Sequence, residues 1–343
     1  MLPYGIKSIV AIPKRNGSKR VIFAPHDWFK EDCQKQLPLL EGTYLDTINT
    51  IKDLYYIDLS QVCHGFIPGR SCVTNALCHA DRDMTVCMDL TDFFDSVKTH
   101  LLPSVGDFDV GKFMPAGAAR QGLPTSPMLC NLAALVHIDL PILSTLCAYG
   151  DIWTYTRYAD DISISRDIPF DKANKEEWTK CVHASYSFIT DNVRKAIYPH
   201  FELNEKKTRL QIDSHGRRVI TGVALRQKHE SQSVPVVNAT RRDRRRLRAA
   251  MHQNNTQQAQ GLKEWCAMKL PSGVDKRLKY LSRRIYFAIH KRKLDEVRSL
   301  FQAMELITEG RPDAEKVLAP FREQVNQFIT EQLNRMFQGD EDE

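Results

Sequence analysis

The sequence lacks the cysteine spacing of a structural zinc site. Nine cysteines are spread over 343 residues, and no two of them are separated by two residues as zinc ligands commonly are. Their number is odd, and no secretory apolar segment opens the chain, so a disulfide-linked secreted domain is not expected. These features indicate a protein of the reducing cytoplasm.

Long uninterrupted apolar runs are also missing. The most apolar stretch, residues 131–149, contains His137, Asp139 and Pro141, which favours a buried helix over a membrane span. No internal repeat or low-complexity block is visible. A hydrophobic content of 42% is that of a globular chain, and the length suffices for two or three substructures. We expect no membrane partner.

Charge is unevenly distributed along a chain whose net charge is +6. Residues 238–251 carry six arginines against one aspartate, whereas residues 339–343 are acidic. The spacing i, i+3, i+4, i+7 predicts four guanidinium groups on one helix face. These are Arg241, Arg244, Arg245 and Arg248. Such a stripe suits a phosphate backbone, although a solvated helix face is the alternative.

The hydrophobic pattern predicts an α+β part followed by an almost wholly helical part, with a boundary near residue 235. Predicted strands cover 6–12, 21–24, 85–90 and 217–225, and residues 154–165 form a predicted hairpin with residues 159–161 at its tip. Predicted helices cover 26–57, 73–79 and 175–198. A further helix is expected to begin near Met128, with Ser126 as its cap and Pro127 at its first position.

Three aspartates carry the strongest chemical signal. Asp89 ends a predicted strand, and Asp160 and Asp161 lie at the hairpin tip within Tyr-Ala-Asp-Asp. Adjacent carboxylates oppose joint ionisation, and a divalent cation reverses that cost. Two Mg²⁺ ions held there would clamp both oxygens of a phosphoryl transfer. An isolated Asp-Asp pair is more often a polar turn, but the flanking strands and Tyr158 make this one specific.

Five further residues are candidate nucleotide contacts. Phe94, five residues after Asp89, is expected to lie under an incoming sugar and exclude a 2′-hydroxyl, although either Phe93 or Phe94 must be a core residue. Gln121 precedes a Gly-Leu-Pro bend. Lys19 and Arg20 offer triphosphate contacts, and Lys207 offers a proton or a charge to the leaving pyrophosphate. The alternatives are an ordinary loop for Gln121 and solvated surface charges for the three cations.

Taken in order, these blocks resemble the reverse transcriptase family. The resemblance covers residues 6–225 through IPKRNGSKRVIFAP, HGFIPGRS, VCMDLTDFF, QGLPTSPMLCN, YTRYADD, LNEKKT and RRVITGVAL. Among reverse transcriptases the chain looks most like the bacterial retron type. Asn75 to His79 is similar to the retron NAxxH element, and Ile220-Thr221-Gly222 is similar to the VTG element.

The resemblance implies a right-hand polymerase with fingers at 1–85 (and part of 96–115), a palm at 86–234, and a helical thumb with an acidic tail at 235–343. It implies two Mg²⁺ ions on the catalytic Asp89, Asp160 and Asp161 with Leu90. Nucleotide contacts are implied at Arg20, Phe94 and Gln121. The implied RNA contacts are Asn75, His79, Thr221 and Gly222, besides the arginine stripe. For His79 the alternative is a histidine that packs a helix.

The implied activity is RNA-directed DNA synthesis from dNTPs on a structured noncoding RNA that is both primer and template. The implied partners are that RNA, its DNA product and effector proteins of an anti-phage system, through which an oligomer is possible. A defence-associated reverse transcriptase with untemplated, repetitive or protein-primed synthesis is the alternative. An inactive RNA-binding scaffold is expected to lack at least one of the three carboxylates, and a nucleotide cyclase is expected to lack the Gln-Gly-x-Pro block. This chain has all three carboxylates and the block.

Overall fold

The computed structural model describes residues 2–13, 17, 19–80, 82–150, 152–225, 237–268, 273–308 and 314–338. The chain divides into two compact units, residues 1–215 and residues 216–343. The predicted boundary near 235 and the acidic tail lie outside the described residues, and the division into fingers, palm and thumb stays a prediction.

The first unit contains two β-sheets and seven α-helices among its described residues. Its strands are β1 Ile6–Pro13, β2 Lys19–Pro25, β3 Met84–Asp89, β4 Trp153–Tyr158, β5 Asp161–Arg166 and β6 Arg209–Ile212. Its helices are α1 Asp27–Tyr55, α2 Cys72–Leu77, α3 Phe93–Ser96, α4 Val110–Phe113, α5 Ser126–Ala134, α6 Leu140–Ala148 and α7 Lys175–Ile197. Strands β1 and β2 form a separate antiparallel hairpin.

The larger sheet has the order β4-β5-β3-β6, and each neighbouring pair is antiparallel. Strand β3 is flanked on both sides and all six of its residues are buried. The alternation of residues 85–90 therefore does not separate a core face from a solvent face. It separates two buried faces, which suits a strand inside a covered sheet. The sequence pattern missed strand β6.

Helices α5 and α6 run as one helix through a π-helical turn at Leu135–Asp139. The N–H of Leu140 donates to the carbonyl of Leu135, five residues earlier, instead of four. Pro141 follows at once and has no N–H for the regular bond to His137, which accounts for a departure from α-helical geometry here. Among the described residues this helix alone is long and apolar enough to cross a membrane, but 61% of its most apolar window is buried in the core.

The start of α5 differs from the prediction. The helix begins at Ser126, so Thr125 occupies the capping position and Pro127 the second helical position. The hydroxyl of Ser126 does not cap the helix but accepts a hydrogen bond of 3.1 Å from the backbone N–H of Arg120. The loop before the helix therefore folds back over its first residue, and the Arg120 N–H binds the Ser126 hydroxyl that was predicted to cap the helix.

The second unit contains a small antiparallel sheet followed by helices. The strands are β7 Val219–Ile220, β8 Val223–Leu225 and β9 Val237–Ala239. The helices are α8 Arg241–His252, α9 Thr256–Met268, α10 Gly273–His290, α11 Leu294–Thr308 and α12 Ala314–Gln338. Side chains of α10, α11 and α12 share a separate apolar core.

The single strand predicted for residues 217–225 is wrong. Thr221 and Gly222 interrupt it as a two-residue turn between β7 and β8, and Ile220 pairs with Val223 across it. Both turn residues have positive φ, 45° for the threonine and 74° for the glycine. That combination belongs to the hairpin turn whose twist matches the flanking strands, and glycine supplies the second position without strain.

Candidate active site

Two of the three candidate catalytic aspartates lie directly opposite each other on neighbouring strands. Asp89 ends β3, Asp161 begins β5, and the two residues pair in the antiparallel register. Asp160 occupies the turn between β4 and β5, where its carbonyl accepts a hydrogen bond of 3.0 Å from the N–H of Leu90. Residues that are distant in the chain are thus joined at one end of the sheet.

Burial and mutual repulsion act on these carboxylates. Burial, followed by the negative charges of Asp160 and Asp89, raises the pKa of Asp161 to about 7. The pKa of Asp160 is also raised, chiefly by burial, while the positive charges of Lys207 and Arg20 oppose the rise. The cluster is therefore short of positive charge, which is the condition that a bound cation relieves.

Lys207 supplies part of that charge. Its ammonium lies 2.8 Å from each carboxylate oxygen of Asp89 and bridges them. Burial alone would lower the pKa of Lys207, but the hydrogen bond and the charges of the three aspartates outweigh burial and raise it. The residue comes from a 3₁₀ turn, Glu205–Lys207, which is fixed because Asn204 donates its N–H to the Asp89 carbonyl at 2.7 Å.

Within the described ranges, no three His, Cys, Asp or Glu side chains approach closely enough to form a ready-made metal site. The charges of the aspartates nevertheless act on one another, and Asp89 is paired with the ammonium of Lys207. Carboxylate oxygens are the donors that Mg²⁺ prefers. The residue types therefore fit a magnesium site.

The two neighbouring phenylalanines have different environments. Phe93 is buried and contacts the Phe201 ring, with 5.9 Å between centroids. Phe94 is partly buried and meets the exposed Phe66 edge-on at 6.3 Å. Phe93 is therefore the core residue of the pair, and Phe94 is the one available to a ligand. Phe66, in the HGFIPGRS loop, was not singled out in the sequence.

Gln121 links the β1–β2 hairpin to the loop before α5. Its carbonyl accepts from the N–H of Phe23 at 2.8 Å, and the Arg120 guanidinium lies over the Phe23 ring at 5.4 Å. Gly122 is required there because a Cβ at this residue would come within 2.3 Å of the Phe23 carbonyl oxygen. Lys19 and Arg20 are exposed on β2, and the charge of Arg20 acts on Asp160.

Asn75 and His79 are buried and have no exposed surface. Both ring nitrogens of His79 are hydrogen-bonded, to the Ser165 hydroxyl at 2.6 Å and the Thr156 hydroxyl at 2.7 Å. The histidine ties the end of α2 to β4 and β5. Both side chains are inaccessible in this conformation, and His79 packs the end of α2 on the sheet that carries the aspartates. Direct RNA contacts of Asn75 and His79 stay a prediction.

The remaining predicted RNA contacts lie in the second unit. Thr221 and Gly222 form the β7–β8 turn. The predicted arginine helix is α8, and all four residues of its stripe are exposed: Arg241, Arg244, Arg245 and Arg248. Arg242 and Arg246 lie on the same helix outside the predicted stripe, and both are exposed, so positive charge extends beyond the stripe. Thr240 begins the helix, and its hydroxyl accepts the N–H of Asp243 at 3.1 Å.

Two residues that sequence reasoning passed over contact the aspartate turn. A Cβ on Gly65 would lie 2.5 Å from the backbone nitrogen of Ala159, so only glycine permits this approach. Arg157 donates to the carbonyl of Ala159 from a fully buried position. Arg157 directly precedes Tyr158 in the sequence, but nothing in the pattern indicates its burial, because an arginine beside a hairpin tip is ordinarily exposed to solvent.

Comparison with known proteins places these features in context. No protein-family model matches the sequence. The chain is 31% identical to the retron Mx65 reverse transcriptase of Myxococcus xanthus over 271 residues, 71% of this chain and 55% of that protein. It is 28% identical to the retron Mx162 reverse transcriptase of the same species, over 70% of this chain and 51% of that protein.

A third relative, the retron Ec73 reverse transcriptase of Escherichia coli, is 26% identical over 62% of this chain and 67% of that protein. The chain spans about half the length of the two Myxococcus relatives. A solved telomerase from Candida albicans, in complex with a fragment of telomeric RNA, covers 92% of this chain and is itself covered to 64%, at 12% identity and a TM-score of 0.41. A TM-score of this size does not establish a shared fold. The predicted resemblance to retron reverse transcriptases is confirmed by the sequence relatives alone.

Proposed function

We propose that this chain is an RNA-directed DNA polymerase of the retron type. The observation that carries the proposal is the pairing of Asp89 with Asp161 on adjacent strands, with Asp160 in the turn that connects β4 to β5. The same residues lie in the blocks that resemble reverse transcriptases, and the sequence relatives are named as retron reverse transcriptases.

In this proposal residues 1–85, with part of 96–115, act as fingers, 86–234 as palm and 235–343 as thumb. Asp89, Asp160 and Asp161, with the backbone carbonyl of Leu90, would hold two Mg²⁺ ions. When bound, the metal activates the primer hydroxyl and neutralises the triphosphate. Lys207 must leave Asp89 for this to happen, and its released ammonium is then positioned to give a proton to the leaving pyrophosphate.

The other nucleotide contacts follow from position and charge. Lys19 and Arg20 on the β1–β2 hairpin bind triphosphate oxygens, Phe94 lies against the sugar, and Gln121 borders the template base. The charge that Arg20 exerts on Asp160 supports its share in the same site. The partly exposed ring of Phe94 supports the sugar contact.

The proposed partner is a structured noncoding RNA that serves as primer and template and stays with its DNA product. Thr221, Gly222 and the arginines of α8 are its proposed contacts in the second unit. A cytoplasmic location and a role beside effector proteins in defence against phage rest on the analogy with retrons.

Primer extension tests the activity. Purified chain, Mg²⁺, four dNTPs and an annealed RNA template of defined sequence should yield DNA complementary to that template. Replacing Asp160 and Asp161 by asparagine should reduce synthesis by several orders of magnitude while RNA affinity is largely kept, because phosphate contacts elsewhere dominate binding.

Changing the template sequence separates the alternatives. DNA whose sequence ignores the template would replace templated synthesis by the untemplated alternative, and DNA that becomes extractable only after protease treatment would indicate priming on protein. Full synthesis by the double asparagine variant would refute the role of the aspartates. Sequencing of nucleic acid that co-purifies from the native host would identify the RNA, and a branched RNA–DNA molecule would establish the retron type.

A further inference from the structure

Arg157 is a fully buried arginine directly beneath the aspartate turn. It belongs to β4, two residues before Ala159, and its side chain has no exposed surface. A guanidinium group is almost never removed from water without partners that satisfy its charge and its donors. Its contacts therefore indicate what the buried charge does.

Four hydrogen bonds occupy the guanidinium group. Nε and one terminal nitrogen each donate to a different carboxylate oxygen of Asp139 at 2.8 Å. The other terminal nitrogen donates to the side-chain oxygen of Asn131 and to the main-chain carbonyl of Ala159, both at 3.1 Å. The planar guanidinium thus binds Asp139 through two of its nitrogens and the turn that carries Asp160 through the third.

Asp139 is equally buried and ends the π-helical turn between α5 and α6. The Tyr155 hydroxyl also donates to it, at 2.5 Å. Burial opposes the charge on Arg157, but Asp139 outweighs burial and keeps the pKa of Arg157 well above its ordinary value. Arg157 remains charged, and its guanidinium keeps the donor that it directs at the turn.

The turn itself needs such support. Ala159 has φ of 55°, a left-handed conformation that is unfavourable for a residue with a side chain and persists only where its surroundings enforce it. Asn131 adds a second link, since its amide donates to the carbonyl of Gly65 at 2.9 Å, and Gly65 packs against the Ala159 backbone. The polar network holds the turn both directly and through the loop that covers it.

We propose that Arg157, neutralised by Asp139, is a positioning residue that fixes the Ala159 carbonyl and thereby sets the metal-binding geometry of Asp160 and Asp161. This inference rests on the proposed function. It assigns the buried pair to the site rather than to general stability, because well-packed apolar side chains often stabilise a fold as much as a buried ion pair does, or more.

Two variants separate positioning from folding. Arg157→Met combined with Asp139→Asn removes both charges together, so no uncompensated charge stays buried, and the introduced asparagine can still accept from the Tyr155 hydroxyl. Arg157→Lys keeps the positive charge beside Asp139, but a single ammonium cannot reach Asp139 and Ala159 as the planar fork does. The lysine variant serves if the double variant does not fold.

Arg166→Met is the matched control. Arg166 lies at the other end of the same hairpin, where it packs over the Trp153 ring at 4.8 Å and donates to the Ser185 hydroxyl at 3.2 Å. The substitution is the same and the strand pair is the same, but the residue is remote from the turn. It should leave the measured properties of the turn unchanged.

Two measurements do not depend on polymerase activity. Hydrogen exchange of the peptide that spans residues 157–162 reports whether the turn has loosened, and Mn²⁺ titration followed by electron paramagnetic resonance reports binding by the carboxylates. We expect faster exchange and Mn²⁺ binding weakened by about tenfold or more in both Arg157 variants, the range seen when groups that orient metal ligands are removed. Circular dichroism should show an unchanged secondary structure.

In extension assays the Mg²⁺ concentration for half-maximal rate should rise by about the same factor, whereas RNA affinity stays constant. Folded Arg157 variants with the exchange rates and Mn²⁺ affinity of the wild type would overturn the proposal. So would an Arg166→Met variant that shows the same losses, because the effect would then be general. If the wild-type chain bound Mn²⁺ but made no DNA, the proposed function would fail while the exchange and titration results still decided the role of Arg157.

Discussion

The ammonium of Lys207 bridges the two carboxylate oxygens of Asp89 at 2.8 Å each. An ammonium and a divalent metal ion compete for the same oxygens. The lysine therefore has two consequences that oppose each other. Under the proposed function, it would weaken metal binding while it is paired with Asp89, and it would supply a proton donor once it has moved away.

Replacing Lys207 by methionine separates these consequences. We expect K207M to bind Mn²⁺ more tightly than the wild type in the absence of nucleotide, because Asp89 is no longer paired. Turnover should fall by about 100-fold or more, the usual contribution of a positioned proton donor. Direct Mn²⁺ titration and the rate of single-nucleotide addition measure the two effects separately.

Lys206→Met is the control for this change. Lys206 is the exposed neighbour on the same 3₁₀ turn, so the variant removes the same charge from the same segment. Both properties should stay within about twofold of the wild type. If K207M bound Mn²⁺ more weakly than K206M, Lys207 would be organising Asp89 for the metal and not competing with it.

The raised pKa of Asp161, about 7, predicts a stability that depends on pH in the metal-free protein. An unfolded aspartate titrates near pH 3.9, so between about pH 4 and pH 7 the folded chain holds a proton that the unfolded chain has lost. Stability must then fall as pH rises through this window. We expect the melting temperature to decrease from pH 5 to pH 8, and Mg²⁺ to restore it at pH 8 more than at pH 5.

Asp161→Asn should remove much of this dependence. Without metal the variant should be more stable than the wild type at pH 8 and similar to it at pH 4, and Mg²⁺ should stabilise it less. Asp92→Asn, at an exposed aspartate in the turn after β3, controls for the loss of one negative charge. Parallel melting curves of D161N and the wild type from pH 4 to pH 8 would rule out the raised pKa.

The close contact of Gly65 with Ala159 leads to a prediction about the turn between β4 and β5. Alanine at this position would place a methyl group 2.5 Å from the Ala159 nitrogen and 3.2 Å from the Tyr158 carbonyl carbon, and neither main-chain atom can rotate away. We expect G65A to lower the free energy of unfolding by about 1–3 kcal/mol and to weaken Mn²⁺ binding. Denaturant titration and metal titration measure the two losses.

Gly42→Ala is the matched control, since nothing lies within 4 Å of a Cβ there and the residue is inside α1. That change should be neutral or stabilising by up to about 1 kcal/mol. A G65A variant as stable as G42A, with unchanged metal binding, would mean that the HGFIPGRS loop moves freely with respect to the turn.

The main elements that carry the site follow from local patterns. Strand β3, the β4–β5 hairpin and the long helices have strong periodicity, and Asp-Asp between two strands marks a turn. The cross-strand pairing of Asp89 with Asp161 is consistent with those patterns, because the end of one antiparallel strand lies beside the start of its neighbour. What could not be predicted is the environment of single polar residues within these elements.

Arg157 and His79 illustrate that limit. An arginine one residue before Tyr158 reads as a solvated charge, yet the π-helical turn that ends 18 residues earlier brings Asp139 into contact with it. His79 reads as a ligand or as a packing residue, and only the positions of the Thr156 and Ser165 hydroxyls decide for packing. Burial of a polar side chain depends on partners distant in sequence, which periodicity does not encode.

The position of Phe94 leads to a prediction about the preference for dNTPs over rNTPs. Its ring is partly exposed, whereas Phe93 is a core residue, so Phe94→Ala should open space for a 2′-hydroxyl without emptying the core. We expect the preference for dNTPs over rNTPs to fall by about 10–200-fold, the range that steric discrimination of one small group provides. Competitive single-nucleotide incorporation measures the ratio.

Phe66→Ala tests whether the neighbouring ring shares this role. Phe66 meets Phe94 edge-on, so its loss should alter the ratio only slightly if it merely supports Phe94. Unchanged discrimination in F94A would remove Phe94 from the sugar site, and a larger effect in F66A would transfer the role to the loop residue.

The arginines of helix α8 lead to a prediction about how RNA affinity depends on salt concentration. Each phosphate neutralised by the protein steepens the fall of log affinity with log salt by about 0.7–0.9. Replacing Arg241 and Arg245 by glutamine removes two exposed charges of the predicted stripe. We expect weaker RNA binding and a salt slope reduced in magnitude by about 1.5, measured by fluorescence anisotropy over a series of KCl concentrations.

Arg242→Gln with Arg246→Gln removes the same number of charges at the same spacing, from positions outside the stripe. Net charge is therefore equal in the two double variants, and only the helix face differs. If RNA follows the stripe, the second pair should change the slope by less than half as much as the first. Equal slopes would mean that α8 attracts RNA by its overall charge, because an unoriented attraction does not distinguish which face of the helix loses its arginines.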